Sequence, residues 1–484
     1  MAKNSKMGFD PSAEIQSTLD KVAFKMADAD TLDDVQPMSS GLLIIDCMTG
    51  GGIRPAMYTS AGKEQTGKTT LALTILASAI HEKIHTKSVR DYEGSTGNSI
   101  PYVTSIMQTY GVNLNKDELF GKKDPKTGKW LVTPVIRYSA STKGMVFFNW
   151  MAALLRRLPD KKMLNNKWYY VYEDDKQFAH LKEHGDSTMP KKYGKGIYIE
   201  AANGGQLEGL VIVDSYPNMN PSEKDEDEGD NSLALQARMF SKNLPRIKGS
   251  LASKKFAIVG VNQLRDIPMA MYGPKENEPG GQALKFYSDV RFRLTSRVLT
   301  AAPLWAKPGK TDKAHEYEPS WDGRGRDKYK YVHVRFAKNK LGGWLDDGWL
   351  RIWARDADGI AHGIDPVYDT MLYLRLTGQL TGSKRTKMQL NLRGILRDPE
   401  GSGSGGDPAL FKKPKDVDWE LLKTWILGDK EAKIKICKKL KLEKPFALRK
   451  VCFKQIQSGL SEILLNEQRD KGGSDKDNDS EDSE

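Results

Sequence analysis

The sequence predicts an α/β fold with a mostly parallel central sheet. From residue 42 to about 364, apolar runs alternate with helical stretches, as expected for strands that are joined by helices. The uninterrupted aliphatic run over residues 210–213 is typical of a strand that is buried on both faces. A short strand at 56–58, a glycine-rich loop and a helix over 70–80 form the strand–loop–helix unit from which such sheets are built.

Size and composition fit a protein with one substantial core and smaller additional modules. The chain has 484 residues, of which 38% are hydrophobic and 29% are charged. No apolar run is long enough to span a bilayer, so we expect no membrane partner. The cysteines Cys47, Cys437 and Cys452 lack metal-ligand spacing, which indicates a reducing compartment. The net charge of +12 favours a polyanionic partner.

Changes in composition divide the chain into predicted regions. They are an N-terminal oligomerisation segment (1–38), a core (39–380), a small basic α-rich domain (381–470) and a disordered acidic tail (471–484). The first region contains a short amphipathic helix over 12–30, which we expect to pack on the core or on a neighbouring subunit. Insertions rich in Lys, Gly, Asp and Tyr interrupt the core near 159–206 and 295–330. The lysine-rich surface of the C-terminal domain is either a solvated face or a DNA-binding surface for which the acidic tail competes with DNA.

A phosphate-binding loop is the most informative motif of the chain. Residues 62–69 fit the pattern Gly-x-x-x-x-Gly-Lys-Ser/Thr, between a predicted strand and a predicted helix. In such loops the backbone N–H groups surround a phosphate, the lysine reaches the β- and γ-phosphates, and the hydroxyl binds Mg²⁺. The nucleotide contacts predicted for ATP and Mg²⁺ are Gly62, Lys63, Glu64, Gln65, Thr66, Gly67, Lys68, Thr69 and Thr70.

Two carboxylates complete the predicted site. A P-loop needs an acid at the end of a nearby buried strand to order the Mg²⁺ shell, and Asp214 follows the aliphatic run 210–213. The alternative, Glu173-Asp174, follows an aromatic run that fits an inserted element better. Glu93 follows the strand after the P-loop helix, where an acid points into the phosphate crevice. We therefore predict Asp214, acting through water, and Thr69 as metal-site residues and Glu93 as the base, with a surface carboxylate as the alternative for Glu93.

Several segments, taken in order, resemble the RecA family of homologous-recombination ATPases. Those that carry the resemblance are Ser40-Gly41-Leu42, the P-loop, Asp91-x-Glu93, Val213-Asp214-Ser215, Asn262-Gln263-Leu264-Arg265, Met271-Tyr272-Gly273, Gly280-Gly281-Gln282-Ala283-Leu284-Lys285-Phe286-Tyr287 and Lys338-Asn339-Lys340. The block from Gln263 to Tyr287 is the most specific of them. The resemblance extends over roughly residues 40–365 without the insertions, and these insertions suggest a bacteriophage-type member.

The resemblance implies roles for further residues of the ATP site. Gln263 corresponds to the glutamine that senses the γ-phosphate, and Lys338 and Lys340 to the lysine pair that reaches the ATP of a neighbouring subunit. With them, the implied catalytic set is Glu93, Lys68, Gln263, Lys338 and Lys340. Tyr102 matches the adenine-stacking tyrosine if a short gap is allowed.

The same resemblance implies a DNA-binding face. Apolar groups on the loop over 265–280 can stack on bases, while nearby arginines neutralise phosphates; the alternative is a surface loop that folds back on the core. The predicted DNA contacts are Arg238, Arg265, Met271, Tyr272, Gly273, Gly280, Gly281 and, for a second DNA site, Arg335. The acidic stretch 223–228 replaces the first DNA loop of the family and should repel phosphate.

These features favour a DNA-dependent ATPase that polymerises on single-stranded DNA and promotes homologous pairing and strand exchange with double-stranded DNA. The expected assembly is a helical homo-oligomer, with single-strand-binding and mediator proteins as further partners. The expected location is the cytoplasm, of the host or on its nucleoid if the protein is phage-encoded. The alternatives are a hexameric helicase on the same core, and a non-motor single-strand-coating protein that uses ATP as an assembly ligand.

Overall fold

The computed structural model describes most of the core and of the C-terminal region. The described residues are 36–173, 178, 180–182, 185, 196–221, 232–266, 276–297, 329–353, 363–384, 387–393, 413–442 and 446–477. The predicted helix over 12–30, the predicted DNA contacts Met271, Tyr272 and Gly273, and most of the insertion near 295–330 lie outside the described residues.

Strands account for the middle of the chain. In chain order they are β1 (Met57–Gly62), β2 (Thr86–Asp91), β3 (Lys122–Lys123), β4 (Trp130–Val132), β5 (Arg137–Ala140), β6 (Asp160–Leu164), β7 (Lys167–Glu173), β8 (Gly196–Glu200), β9 (Gly209–Asp214), β10 (Phe256–Gln263), β11 (Arg265–Asp266), β12 (Glu276–Asn277), β13 (Val290–Arg297), β14 (Tyr329–Asn339), β15 (Asp347–Trp353), β16 (Gly363–Ile364), β17 (Leu380–Lys384), β18 (Lys387–Leu390) and β19 (Lys415–Val417).

Helices alternate with these strands and dominate the C-terminal region. They are α1 (Leu43–Met48), α2 (Lys68–His81), α3 (Ser95–Asn98), α4 (Ile100–Thr109), α5 (Lys116–Phe120), α6 (Gly144–Arg157), α7 (Ser232–Ser253), α8 (Gly281–Tyr287), α9 (Pro366–Leu376), α10 (Trp419–Leu427), α11 (Lys430–Lys439), α12 (Leu448–Gln457) and α13 (Leu460–Asp477).

A large mixed sheet organises the core, in the order β16–β15–β14–β13–β1–β10–β9–β2–β5. The strands from β13 to β5 all pair in parallel, which confirms the predicted α/β class with a mostly parallel sheet. From β13 to β16 the pairing is antiparallel, an extension that the sequence did not predict. The carboxyl ends of the parallel strands meet at one edge, where Gly62 lies opposite Gln263 and Asp91 lies opposite Asp214.

Both faces of the parallel sheet are covered by helices. Along β9, Leu210 and Ile212 belong to one apolar cluster, while Val211 and Val213 belong to a second cluster. The first cluster includes residues of α2 and α4, and the second includes residues of α6 and α7. A strand that supplies apolar side chains to both faces needs an uninterrupted aliphatic run, which is what residues 210–213 provide.

A second compact unit contains residues 159–205. Its strands β6, β7 and β8 form a small antiparallel sheet around a cluster of Leu164, Tyr169 and Tyr198. Trp168 lies against Gly205, where a Cβ atom would stand only 2.6 Å from the indole. The aromatic run that precedes Glu173 therefore lies in this small sheet and not in the nine-stranded one.

The C-terminal region packs into the same compact unit as the core. Arg449 of α12 donates a 2.6 Å hydrogen bond to the Gly41 carbonyl and pairs with Asp369 of α9 at 2.7 Å. The last helix continues to Asp477, within the stretch for which the composition predicts a disordered tail, and residues 478–484 lie outside the described part. Among the described helices, none combines the length and apolarity needed to cross a bilayer.

Candidate active site

The P-loop connects β1 to α2 at the carboxyl edge of the sheet. Gly67 has a left-handed backbone (φ 81°) immediately before the first helical residue, Lys68. At Gly62 a Cβ atom would come within 2.7 Å of the Leu294 carbonyl oxygen. Glycine is required at these two positions because one needs a positive φ and the other a close backbone approach. The loop thereby begins in close contact with the main chain of Leu294 in β13.

Lys68 points back over the loop. Its Nζ donates to the Lys63 carbonyl at 2.6 Å and is 3.5 Å from the Thr66 hydroxyl. Burial lowers the pKa of Lys68, while the charges of Glu93 and Asp214 act in the opposite direction. A phosphate that entered the loop would take the place of the Lys63 carbonyl as the acceptor for this buried amino group.

Asp214 provides a carboxylate with one oxygen left for a ligand. Oδ2 accepts hydrogen bonds from the Thr69 hydroxyl at 2.9 Å and from the Ser95 hydroxyl at 3.1 Å. Oδ1 is buried and has no hydrogen-bond partner among the described residues. Burial raises the pKa of Asp214 to about 6, against the hydrogen bond from Thr69, which lowers it. A hydrated Mg²⁺ fits this donor set because it would satisfy the orphan oxygen and stabilise the charged form.

The structure brings two further predicted residues, Glu93 and Gln263, to the same edge of the sheet as the P-loop. A cleft of about 440 Å³ lies over the P-loop, lined by Glu64, Gln65, Gly67, Lys68, Thr69, Thr70, Glu93, Val261 and Gln263. The exposed Glu93 and the half-buried Gln263 thus line the same cleft as Lys68. The Glu93 amide is anchored to the Asp214 carbonyl at 3.2 Å, and Gln263 lies level with Gly62 on the adjacent strand. The cleft therefore offers an acid and an amide to the group bound by the P-loop.

Two other side chains contact the loop or the start of the helix that follows it. Tyr102 of α4 makes a close hydrogen bond with the Thr70 hydroxyl, at the start of α2 and outside the set of residues that line the cleft. Lys330, at the start of β14, donates a close hydrogen bond to the Gln65 carbonyl, and burial lowers the pKa of Lys330. Sequence reasoning found neither Lys330, which follows an insertion, nor Ser95, although Ser95 stands two residues after Glu93.

Lys338 and Lys340 lie at the opposite edge of the sheet from the P-loop of the same chain. Lys338 Nζ donates to the carbonyls of Lys285 and Phe286, at 3.0 and 2.6 Å. Asn339 pairs with Val290 at the start of β13, whereas Gly62 pairs with residue 294, four positions and roughly 13 Å farther along. The two lysines are therefore not part of the cleft in their own chain.

An exposed aromatic ring accompanies these lysines. Phe286 is 66% exposed, and the Nζ atoms of Lys338 and Lys340 lie 5.8 and 5.7 Å from the centroid of its ring. We define Phe286, Lys338 and Lys340 as the amino-edge patch. Both amino groups therefore lie within cation–π distance of the exposed ring.

The described DNA-binding candidates lie near α7, α8 and β11, and on β14. Gly280 is buried, where an added Cβ would stand 3.3 Å from Phe240, so the structure does not place this predicted DNA contact on the surface. Gly280 and Gly281 have φ values of 95° and 69° at the start of α8, and the exposed Arg238 shares an open cleft with Lys242 and Gln282. Arg265 is exposed on β11, directly after the strand that ends at Gln263. Arg335 is exposed on β14, where it pairs in register with Arg293, another cationic residue.

Part of the core is similar in sequence to known proteins. Residues 198–302 match the family model of the RecA N-terminal domain. "Protein RecA" of Symbiobacterium thermophilum is 40% identical over 86 residues, covering 18% of this chain and 25% of that protein. "Protein RecA" of Streptococcus equi subsp. zooepidemicus is 45% identical over 83 residues (17% and 22%), and that of Clostridium novyi 43% over 83 residues (17% and 24%).

The matches cover only part of the proteins compared. The chain spans about a quarter of the length of the curated relatives it matches. The family-model match contains Asp214, Gln263 and the start of α8, whereas the P-loop, Glu93 and Lys338 lie outside it.

Proposed function

We propose that this chain, which belongs to the RecA family, is an ATP-dependent recombinase that forms helical filaments on single-stranded DNA and promotes homologous pairing and strand exchange. The observation that carries the proposal is the common cleft of the P-loop, Glu93 and Gln263. Gln263 ends the strand that leads directly into Arg265 and the predicted DNA-binding segment. One side chain therefore stands between bound nucleotide and bound DNA.

The residues of the cleft divide the work of ATP hydrolysis. The P-loop amides and Lys68 bind the phosphates. Thr69 and, through water, the Asp214 carboxylate would hold Mg²⁺, which supplies neutralising charge when bound. Glu93 orients and deprotonates the attacking water. Gln263 donates a hydrogen bond to the γ-phosphate and loses it after hydrolysis, so the position of β11 depends on which nucleotide is present.

Assembly completes the site in this proposal. The amino-edge patch presents two cations at the edge opposite the P-loop, so a head-to-tail neighbour can insert Lys338 and Lys340 into the ATP cleft of the next subunit. Cations supplied in trans stabilise charge on the transferring phosphoryl group. A head-to-tail contact whose rotation does not close generates an open helix, which is the filament we propose.

The test combines negative-stain microscopy with an ATPase assay, each with and without single-stranded DNA. A slowly hydrolysed ATP analogue is used for imaging. We expect open helical filaments and DNA-stimulated hydrolysis. Closed rings would instead indicate the hexameric helicase. The absence of both filaments and DNA-stimulated hydrolysis would refute the recombinase proposal.

The Glu93→Gln variant separates a motor from a passive coat. We expect it to form filaments with ATP and to retain DNA binding, but to lose hydrolysis and to fail in turnover of strand exchange, because the water is no longer activated. A variant that matches the wild type in every DNA transaction would favour a coating protein for which ATP is only an assembly ligand.

A further inference from the structure

A carboxylate in the predicted DNA-binding loop over 265–280 contacts both the P-loop and the central sheet. Strands β11 and β12 pair antiparallel and flank residues 267–275. In β12, Glu276 Oε1 lies 3.6 Å from Lys63 Nζ, and the other oxygen, Oε2, forms a close ion pair with Arg293 of β13. Glu276 therefore links the stem formed by β11 and β12 to the loop that binds phosphate.

The main chain of Lys63 is held by Lys68, the residue predicted to bind the phosphates. The Lys63 carbonyl accepts the 2.6 Å hydrogen bond from Lys68 Nζ and a 2.9 Å hydrogen bond from the Thr66 hydroxyl. Phosphate oxygens would compete for Lys68, so nucleotide binding removes one of the interactions that fix the main chain of Lys63. Lys63 thus carries both the ion pair with Glu276 and a hydrogen bond that must break when phosphate binds.

The ion pair is weak enough to be switched by a ligand. The Lys63 side chain is 56% exposed and that of Glu276 is 23% exposed, and exposed pairs contribute little to stability because water screens them. Lys63 is not among the residues that line the cleft, so a triphosphate would act on this pair through the main chain of Lys63, by taking the Lys68 amino group away from the Lys63 carbonyl. Glu276 keeps Arg293 as a partner when Lys63 leaves, so no charge is left unpaired.

We infer that Glu276 is a positioning residue whose ion pair with Lys63 transmits nucleotide occupancy of the P-loop to the DNA-binding segment. This inference rests on the proposed function. It adds a second connection, besides Gln263, between bound nucleotide and the DNA-binding segment. Without nucleotide, the pair holds the β11–β12 stem against the P-loop. A bound triphosphate removes the hydrogen bond from Lys68 to the Lys63 carbonyl, so Lys63 shifts and the stem is freed. Removing the pair should therefore imitate part of the effect of ATP on DNA binding.

The experiment measures the affinity of the full chain for a fluorescent oligo(dT), with and without a slowly hydrolysed ATP analogue. The ratio of the two affinities is the coupling factor. We expect Lys63→Met and Glu276→Gln each to raise nucleotide-free affinity about two- to fivefold, and to reduce the coupling factor correspondingly. The double variant should add nothing further, because both substitutions remove one interaction. Lys63→Arg should restore wild-type coupling.

The adjacent ion pair provides a matched control. Arg291 donates to both carboxylate oxygens of Glu278, at 2.7 and 2.6 Å, two residues beyond Glu276. Glu278→Gln removes a carboxylate of the same kind on the same segment, and should leave the coupling factor unchanged. A changed factor there, or an unchanged one in Lys63→Met and Glu276→Gln, would overturn the inference.

The outcomes also separate this inference from the proposed function. If the DNA affinity of the wild type did not respond to the analogue, the recombinase proposal would fail and the inference with it. If the wild type responded and both single variants responded as strongly as the wild type, only the inference would fail. Circular dichroism of each variant checks that it is folded. If Lys63→Met does not fold, Glu276→Gln alone tests the inference.

Discussion

The Thr69 hydroxyl donates a 2.9 Å hydrogen bond to Oδ2 of Asp214, joining the start of α2 to the end of β9. The other oxygen of Asp214 is buried without a partner among the described residues. The pair thus presents a hydroxyl and a free carboxylate oxygen side by side, and burial makes that carboxylate costly to ionise when nothing positive is bound.

This environment predicts a pH dependence for stabilisation by Mg²⁺ and ATP. The pKa of Asp214 is raised from 3.8 to about 6, so the folded protein binds more protons than the unfolded chain between these values. Without ligand, this group's contribution to the free energy of unfolding is therefore lost as pH rises through the window. Mg²⁺ needs the charged carboxylate, so the increase in Tm caused by Mg²⁺–ATP should be small at pH 5 and grow up to pH 7.

Calorimetry over that pH range checks the prediction, with Asp214→Asn as the comparison. The variant should show a smaller increase in Tm that is flat between pH 5 and 7. A wild-type increase that is equally flat would contradict the assignment of Asp214 to the metal.

Lys68→Ala should abolish ATP binding. Lys68 is buried beside Glu93 and Asp214, and loss of one partner of a buried charged contact typically weakens binding at least about 30-fold. Isothermal titration with ATP and Mg²⁺ measures the effect, and Lys83→Ala, at an exposed lysine after α2, is the control. Retained affinity in Lys68→Ala would refute the site.

Mixing two inactive variants tests whether Lys338 and Lys340 act in trans. Glu93→Gln and the double variant Lys338→Ala, Lys340→Ala should each be inactive as ATPases. In an equal mixture, random head-to-tail assembly places a subunit with intact Glu93 beside one with both lysines at about one site in four. We therefore expect roughly a quarter of wild-type ATPase activity, and no recovery at any ratio would exclude catalysis across the interface.

Deleting residues 473–484 should tighten DNA binding, because this stretch carries six acidic residues and one lysine. A competing anionic segment raises the apparent Kd for DNA most at low salt. Anisotropy titrations at several salt concentrations measure the effect, and a tail with Asn and Gln in place of Asp and Glu controls for length. Equal affinities for all three proteins across the series would rule out competition.

Local sequence signals determined much of this protein. The P-loop pattern at 62–69 requires glycine for steric reasons, and the aliphatic run at 210–213 reflects a strand buried on both faces. Such signals predicted the α/β class and the mostly parallel sheet. They act through neighbours in the chain, so they can be recognised without knowing where the chain returns.

Tertiary structure decided which distant groups meet. The antiparallel extension from β13 to β16, the contact of Lys330 with Gln65, and the ion pairs of Glu276 all join residues separated by tens to hundreds of positions. The separation of Lys338 from the P-loop depends on strand register, since β13 runs parallel to β1 and β14 returns antiparallel. Exposed charges have no periodic pattern that reveals their partners, so packing of the whole sheet assigns them.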